Sequence, residues 1–124
     1  MRIFKTKWFS RWARKQGVKD TALSTAVAEI AAGLVDADLG GHMVKKRIPL
    51  AGRGKRGGAR CIVAYQSDHH TFFVYGFAKN ERDNIDADEL EAFRILAAGL
   101  QRYDAASIVR AIESDQLSEV ISDA

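Results

Sequence analysis

The sequence predicts a single α+β domain, read in the order β-α-α-β-β-β-α, and three observations carry that reading. Helical periodicity fills the chain to about Val35 and returns after Asn84. Two runs rich in Val, Ile, Phe and Tyr occupy the middle, and a polar break between them has the form of a hairpin. At 124 residues there is material for one hydrophobic core and not for two. The expected architecture is therefore one domain over residues 1–124, with an N-terminal strand and helical hairpin packed on a small antiparallel sheet and a C-terminal helix.

Each element has its own local reason. Arg2 to Phe4 reads as a short first strand. Trp8, Phe9, Trp12 and Ala13 recur at i, i+1, i+4 and i+5, one face of a helix, with Arg11, Arg14 and Lys15 opposite. Gly17 ends that helix, and Asp20 is placed to cap the next. There Leu23, Ala26, Val27, Ile30, Ala31 and Leu34 make an apolar stripe to about Val35, which Gly40-Gly41 breaks. Met43 to Leu50 reads as a strand whose end Pro49 confines to an edge or exit. Ala59 to Tyr65 and Thr71 to Ala78 form the hairpin around Ser67-Asp68-His69-His70. Asn84-Ile85-Asp86 opens a helix with Asp86, Asp88 and Glu89 in its first turn, where they favour the helix dipole. Its core face is Leu90, Phe93, Leu96, Ala97 and Leu100, and an acidic, weakly amphipathic segment from Ala105 to Val120 follows.

Charge is unevenly spread along the chain. Residues 1–68 hold 14 Lys/Arg against 5 Asp/Glu, and residues 69–124 hold 5 against 11, so +9 is followed by −6. Such asymmetry points to a basic working face and an acidic remainder. The cations concentrate in Lys45 to Arg60, where seven basic residues and four glycines stand with no acid. A glycine-rich cationic loop feeding a strand is expected to handle phosphates and points to nucleic acid before any other partner, because loops are where binding groups gather. The single cysteine, Cys61, rules out an internal disulfide framework and fits a reducing compartment. The longest apolar segment, Ala26 to Val35, is too short to span a membrane and carries Glu29, so the expected location is the cytoplasm.

A hairpin with an even-length turn sets Gln66 opposite Thr71 and hence Arg60 opposite Phe77. Phe77 and Lys79 share a face because strand side chains alternate with period two. Arg60 and Lys79 are then diagonal neighbours at the end that joins the glycine-rich run. The same register places His69 and His70 roughly 20 Å away, at the far end. It gives one sheet face Cys61, Val63, Tyr65, Phe72 and Val74, and the other Ile62, Ala64, Phe73, Tyr75 and Phe77. Both are apolar, so the face the helical hairpin leaves open needs either the C-terminal helix or a partner chain.

Other motifs lead nowhere. Gly52-x-Gly54-x-x-Gly57 spells a dinucleotide fingerprint, but a strand follows it instead of a helix. Gly54-Lys55 lacks the spacing of a phosphate-binding loop. His42, His69, His70 and Cys61 show no metal-ligand spacing, and no metal or cofactor is expected. Asp86, Asp88 and Glu89 are accounted for by a helix N-terminus. Of the aromatic run, Phe72 and Phe73 are assigned to the sheet core, and Tyr75 and Phe77 are left as base-stacking platforms.

G-R-G-K-R-G-G-A-R (Gly52 to Arg60), F-V-Y-G-F-A-K-N-E-R-D-N-I (Phe73 to Ile85) and the helix-opening Glu89-Leu90 resemble the RelE/HigB-type toxins of type II toxin–antitoxin systems, within the RelE/ParE superfamily. The resemblance covers nearly the whole chain. It implies a RelE-like fold and a metal-independent endoribonuclease, an mRNA interferase acting on messenger RNA at the ribosome. It also implies neutralisation by a cognate antitoxin, often of helix-turn-helix type in this branch. Carried onto this chain, the strand-opening arginine of G-G-x-R is Arg60 and the lysine of F-A-K-N is Lys79. Lys46 joins them as a candidate catalytic group, and Arg47, Arg53, Lys55, Arg56 and Arg82 are the candidate RNA-binding cations. The chain departs from the best-known RelE pattern at Asn80, where a second arginine tends to stand, and in showing no C-terminal catalytic tyrosine.

The chemistry suits those residue types. The RNA 2′-hydroxyl is a built-in nucleophile, and fixed cations stabilise the dianionic phosphorane it forms. Arg60 is assigned to the phosphorane, Lys79 to proton transfer or charge stabilisation, with Lys46 as the other candidate base. Two further readings stay open: a ParE-like inhibitor of DNA gyrase on the same fold, and a nucleic-acid-binding domain without catalysis.

Overall fold

A computed structural model of the chain describes residues 2–50 and 54–121, with the backbone alone for residues 54–57. It shows β1 (Ile3–Thr6), α1 (Lys7–Gln16), α2 (Asp20–Ala31), β2 (Ala37–Gly40), β3 (Met43–Leu50), β4 (Gly54–Ala64), β5 (Thr71–Ala78), α3 (Ala87–Gln101), α4 (Ala105–Glu113) and β6 (Leu117–Glu119). The class is α+β, as the periodicities predict. Among the described residues the strands form one sheet in the order β2-β3-β4-β5-β1-β6. Its neighbours are antiparallel except β1 and β5, which run parallel. No helix among the described residues is long and apolar enough to cross a membrane.

Local chemistry sets most of the boundaries. The Thr6 hydroxyl accepts from the Phe9 N–H at 3.2 Å and starts α1, and Gly17 ends it at φ 75, a left-handed conformation that glycine adopts without a Cβ penalty. Asp86 and Glu89 form a reciprocal capping box at the start of α3, and the Asp104 carboxylate caps α4 by accepting from the Ser107 N–H. Asp20 is not a cap: it is the first helical residue of α2, after Lys19. Its carboxylate instead takes the Lys5 ammonium at 2.8 Å and the Ile121 N–H at 2.9 Å, tying β1 and the segment after β6 to the start of α2. The helix also stops earlier than its stripe, at Ala31, and leaves Leu34 exposed while Val35 still packs on the core.

Two short strands escape the sequence pattern. β2 pairs with β3 on one edge of the sheet, and β6 pairs with β1 on the other. β4 also begins at Gly54, so part of the glycine-rich run expected as a loop is strand backbone paired with Leu50. Arg53 lies outside the described residues.

The sheet is covered on both sides. Phe9 and Ala13 of α1 and Leu23, Ala26, Val27 and Ile30 of α2 pack with Ile48, Cys61, Val63 and Phe73. On the opposite face Ala97 and Leu100 of α3 and Ile108 and Ala111 of α4 pack with Ile62, Ala64, Phe72 and Val74. The folded-back C-terminal helices thus pack on the second apolar face. Burying Phe4, Phe9, Phe72 and Phe73 fully contributes roughly 1.5–3 kcal/mol each.

One irregularity in the central hairpin decides which side chains face which layer. Arg60 pairs with Phe77 and Ile62 with Tyr75, but Val63 pairs with Phe73, so Val74 is the extra residue of a β-bulge. The bulge sends Phe73 to the α1 and α2 side, and Phe72 and Val74 to the α3 side. The unbroken alternation expected from sequence is corrected at those three positions. The expected pairing of Gln66 with Thr71 is also corrected, since Ala64 pairs with Phe72 and not Phe73; the bulge absorbs that one-residue offset, so Arg60 still lies opposite Phe77.

Candidate nucleic-acid interface

The cations of β3, β4 and the end of β5 sort onto two faces by register alone. Arg47 on β3 is directly opposite Arg60 on β4, and Arg60 is directly opposite Phe77 on β5. The Lys79 N–H donates to the Gly58 carbonyl at 3.0 Å, which extends the β4–β5 ladder by one residue. Lys79 therefore follows Phe77 on the same face, diagonal to Arg60, a position that separates Cα atoms by roughly 7–8 Å. Arg47, Arg60 and Lys79 form a row across three adjacent strands, on the face that α3 covers farther along.

Lys46 does not join them. It pairs with Cys61, whose side chain points to the α1 and α2 layer, so period two puts Lys46 on the opposite face from Arg60. There its ammonium donates to the Leu34 carbonyl at 2.7 Å and lies 3.0 Å from Glu29 Oε1 on α2, and the residue is 5 % exposed. The structure thus places Lys46 in an enclosed ion pair on the face opposite Arg60.

Like charges directly opposite on a sheet repel each other, so the Arg47–Arg60 pair needs a counter-charge. Asp36, in the turn before β2, supplies it. Its Oδ2 accepts from Arg47 Nε at 2.9 Å and lies 3.1 Å from Arg60 Nε. The Asp36 N–H donates to the Lys45 carbonyl at 2.8 Å, which fixes the turn against β3. Arg60 is nearly buried, at 8 % exposed, whereas the side chains of Arg47 and Lys79 are close to half exposed. Lys79 Nζ is held loosely, donating to the Asp83 carbonyl at 3.2 Å.

Arg82 borders the row but is largely committed. Nε donates to the Asn84 carbonyl at 3.0 Å, Nη1 to the Tyr75 hydroxyl at 3.2 Å and to Glu89 Oε2 at 3.0 Å, and Nη2 to Glu89 Oε1. Four of five guanidinium N–H groups are thereby spent on the protein. The guanidinium also lies over the Phe77 ring, 5.8 Å from its centroid. The fork-on-fork contact with Arg82 holds the Glu89 carboxyl well below its usual range, at about 2, and Glu89 raises Arg82 in turn. Arg82 thus anchors the start of α3 to β5 at the border of the cationic row.

The aromatic platforms fare differently from expectation. Phe77 is buried at 3 % exposed, and Tyr75 is stacked between Trp8 (4.4 Å) and Phe93 (4.9 Å), so neither ring stands free for a base. Lys55 and Arg56 fall within β4, where only the backbone is described. Cys61 is fully buried and its thiol is pushed far up by desolvation, which removes it as a nucleophile. His70 sits at the other end of the hairpin, accepting the Arg2 N–H at Nδ1. Asp36 is the site residue that sequence reasoning missed. An aspartate in Val35-Asp36-Ala37-Asp38 carries no motif, and only the folded contacts with Arg47 and Arg60 reveal its target.

A row of cations aligned by strand register, with one carboxylate between two of them, has the charge and geometry that suit an anion. The comparisons with known proteins agree with the fold that holds it. No curated protein sequence matches the chain. The family model described as the RelE toxin of the RelE / RelB toxin–antitoxin system matches residues 1–120. With nearly its full length matched, the chain belongs to the RelE family and is a toxin of a toxin–antitoxin system.

Proposed function

We propose that the protein is a metal-independent endoribonuclease that cleaves mRNA on the ribosome, and that Arg60 and Lys79 carry the reaction's electrostatics. The observation that supports this reading is the placement of Arg60 and Lys79 as diagonal neighbours on one face. The 2′-oxygen attacks the adjacent phosphorus, its proton leaves to water, the bond to the 5′-oxygen breaks, and water returns a proton to that oxygen. Between those events the phosphorane carries two negative charges. Lys79 faces them directly, Arg60 adds its charge from beneath, and Arg47, with Arg53, Lys55 and Arg56, follows the RNA backbone. Arg82 acts indirectly, by fixing the rim. A cognate antitoxin of helix-turn-helix type, covering this face, completes the reading, and the site of action is the cytoplasm.

The test is incubation of the purified chain with RNA and ribosomes in excess chelator, followed by analysis of the RNA ends. A 5′-hydroxyl and a 2′,3′-cyclic or 3′-phosphate are expected. Intact RNA together with arrested DNA supercoiling in a gyrase assay would replace this reading with the gyrase-inhibitor one.

A further inference from the structure

We propose that Asp36 is a positioning residue: it holds Arg47 and Arg60 together and sets a trade-off between how tightly this face binds polyanions and how well it cleaves them. This role rests on the reading of the face as a phosphate-binding surface, and it goes further by naming what tunes that surface.

The geometry is specific. Two guanidinium groups on directly opposed strand positions share one carboxylate oxygen, each through Nε, at 2.9 and 3.1 Å. An arginine held at Nε keeps most of its terminal N–H groups for a second anion; in Arg60 one of them, on Nη1, donates to the Ala59 carbonyl at 3.4 Å. Asp36 thus orders the fork of each arginine without occupying the fork itself. The site is shielded, with the Asp36 and Arg60 side chains 15 % and 9 % exposed, so the arrangement is held more firmly than an ion pair in open water. The carboxylate also cancels one of the charges that would attract a phosphate chain. An arginine pair without it attracts anions more strongly but aims less well.

Binding and cleavage should consequently move in opposite directions when the charge is removed. In Asp36→Asn one acceptor oxygen remains, the negative charge is lost, and the guanidinium pair splays under its own repulsion. Affinity for a labelled 2′-O-methyl RNA oligonucleotide, which cannot be cleaved, should rise. The slope of log affinity against log salt should steepen by about 0.7, the increment for one further phosphate contact on a single strand. Cleavage of ordinary RNA should fall by about 10²-fold in kcat, the cost of displacing a catalytic group by an ångström or so. Asp36→Glu keeps the charge on a longer stem, so its salt slope should match the wild type while its kcat lies between wild type and Asp36→Asn.

A purely structural role predicts something else: binding, cleavage and melting temperature falling together in both variants. That result, or an Asp36→Asn protein equal to wild type in both assays, overturns the proposal. If the wild type itself leaves RNA intact, the nuclease reading fails. The oligonucleotide arm still decides for or against Asp36 through affinity and salt slope.

Discussion

The indole of Trp12 occupies the space that a side chain at Gly76 would need. A Cβ built on Gly76 would come within 2.5 Å of the Trp12 ring, closer than any real Cβ contact. The reason lies in the sheet. β1 pairs with only the first part of β5, from Thr71 to Phe73, so the remainder of β5 is an edge that α1 covers with its tryptophans. Glycine here answers to close approach and not to an unusual backbone angle. Gly76→Ala should destabilise the protein by roughly 1–3 kcal/mol through overpacking, measured by urea unfolding. Gly99, which has open space around it on α3, is the control: Gly99→Ala should be neutral or stabilising.

Acid should loosen the fold from three places at once. Glu89 is held at about 2, first by Arg82 and then by the Asp86 N–H, against about 4.3 for a free glutamate. Glu119 is lowered by its contact with Arg2, and His70 is lowered chiefly by burial. A depressed pKa means that the unfolded chain binds the proton more readily than the folded one. Each group's contribution is therefore fully present above its unfolded value and disappears as pH falls through its folded one. The melting temperature should decline below about pH 6.5, when His70 begins to charge in the unfolded state, and more steeply from about pH 4.3 downward. Glu89→Gln should flatten the lower part of that decline, read by thermal melts across pH. A variant whose profile overlays the wild type would show that the Arg82–Glu89 contact does not form in solution.

The fold class was legible because it rests on long periodic segments. Trp8 to Ala13 and Leu23 to Ile30 bury what their spacing says, and Met43–Leu50 is a strand from end to end. β2 and β6 were not legible, since strands of four and three residues with acids and a glycine in them show no usable alternation. The register at Arg60 came out as read because two irregularities cancel: the pairing leaves the turn one residue off, with Ala64 opposite Phe72, and the bulge at Val74 takes that residue up before Arg60 is reached. Had the bulge lain between Phe77 and Lys79, the two cations would sit on opposite faces with the same sequence composition. The split between Lys46 and Arg47 is the clearest limit. Adjacent strand residues must face opposite ways, yet which one meets Arg60 depends on the β3–β4 register, which shifts between Ile48 and Leu50 and is not written in the composition of the strands.

That split has a measurable consequence. Lys46 contributes to stability through Glu29 and the Leu34 carbonyl, and it has no path to the face where Arg60 lies. Lys46→Met should lower unfolding free energy by roughly 1–3 kcal/mol, since it removes a shielded ion pair and a hydrogen bond from an enclosed site. Cleavage per folded molecule should be unchanged at temperatures well below the melting point. Loss of cleavage at undiminished stability would return Lys46 to the catalytic set.

Lys79 and Arg60 should fail in distinguishable ways. Lys79 Nζ donates to the Asp83 carbonyl at the rim of the cationic row. If positive charge is its contribution, Lys79→Arg should retain cleavage within about tenfold, because arginine keeps the charge and the reach while remaining protonated at every working pH. Lys79→Ala should lose about 10²–10³-fold, the usual cost of one preorganised electrostatic group. Equal inactivity of Lys79→Arg and Lys79→Ala would instead make Lys79 the base. Arg60→Ala should show a similar kinetic loss together with reduced stability, because it leaves Asp36 with Arg47 alone in a shielded place. Measuring kcat, oligonucleotide affinity and melting temperature on all three proteins separates charge at the rim from charge beneath it.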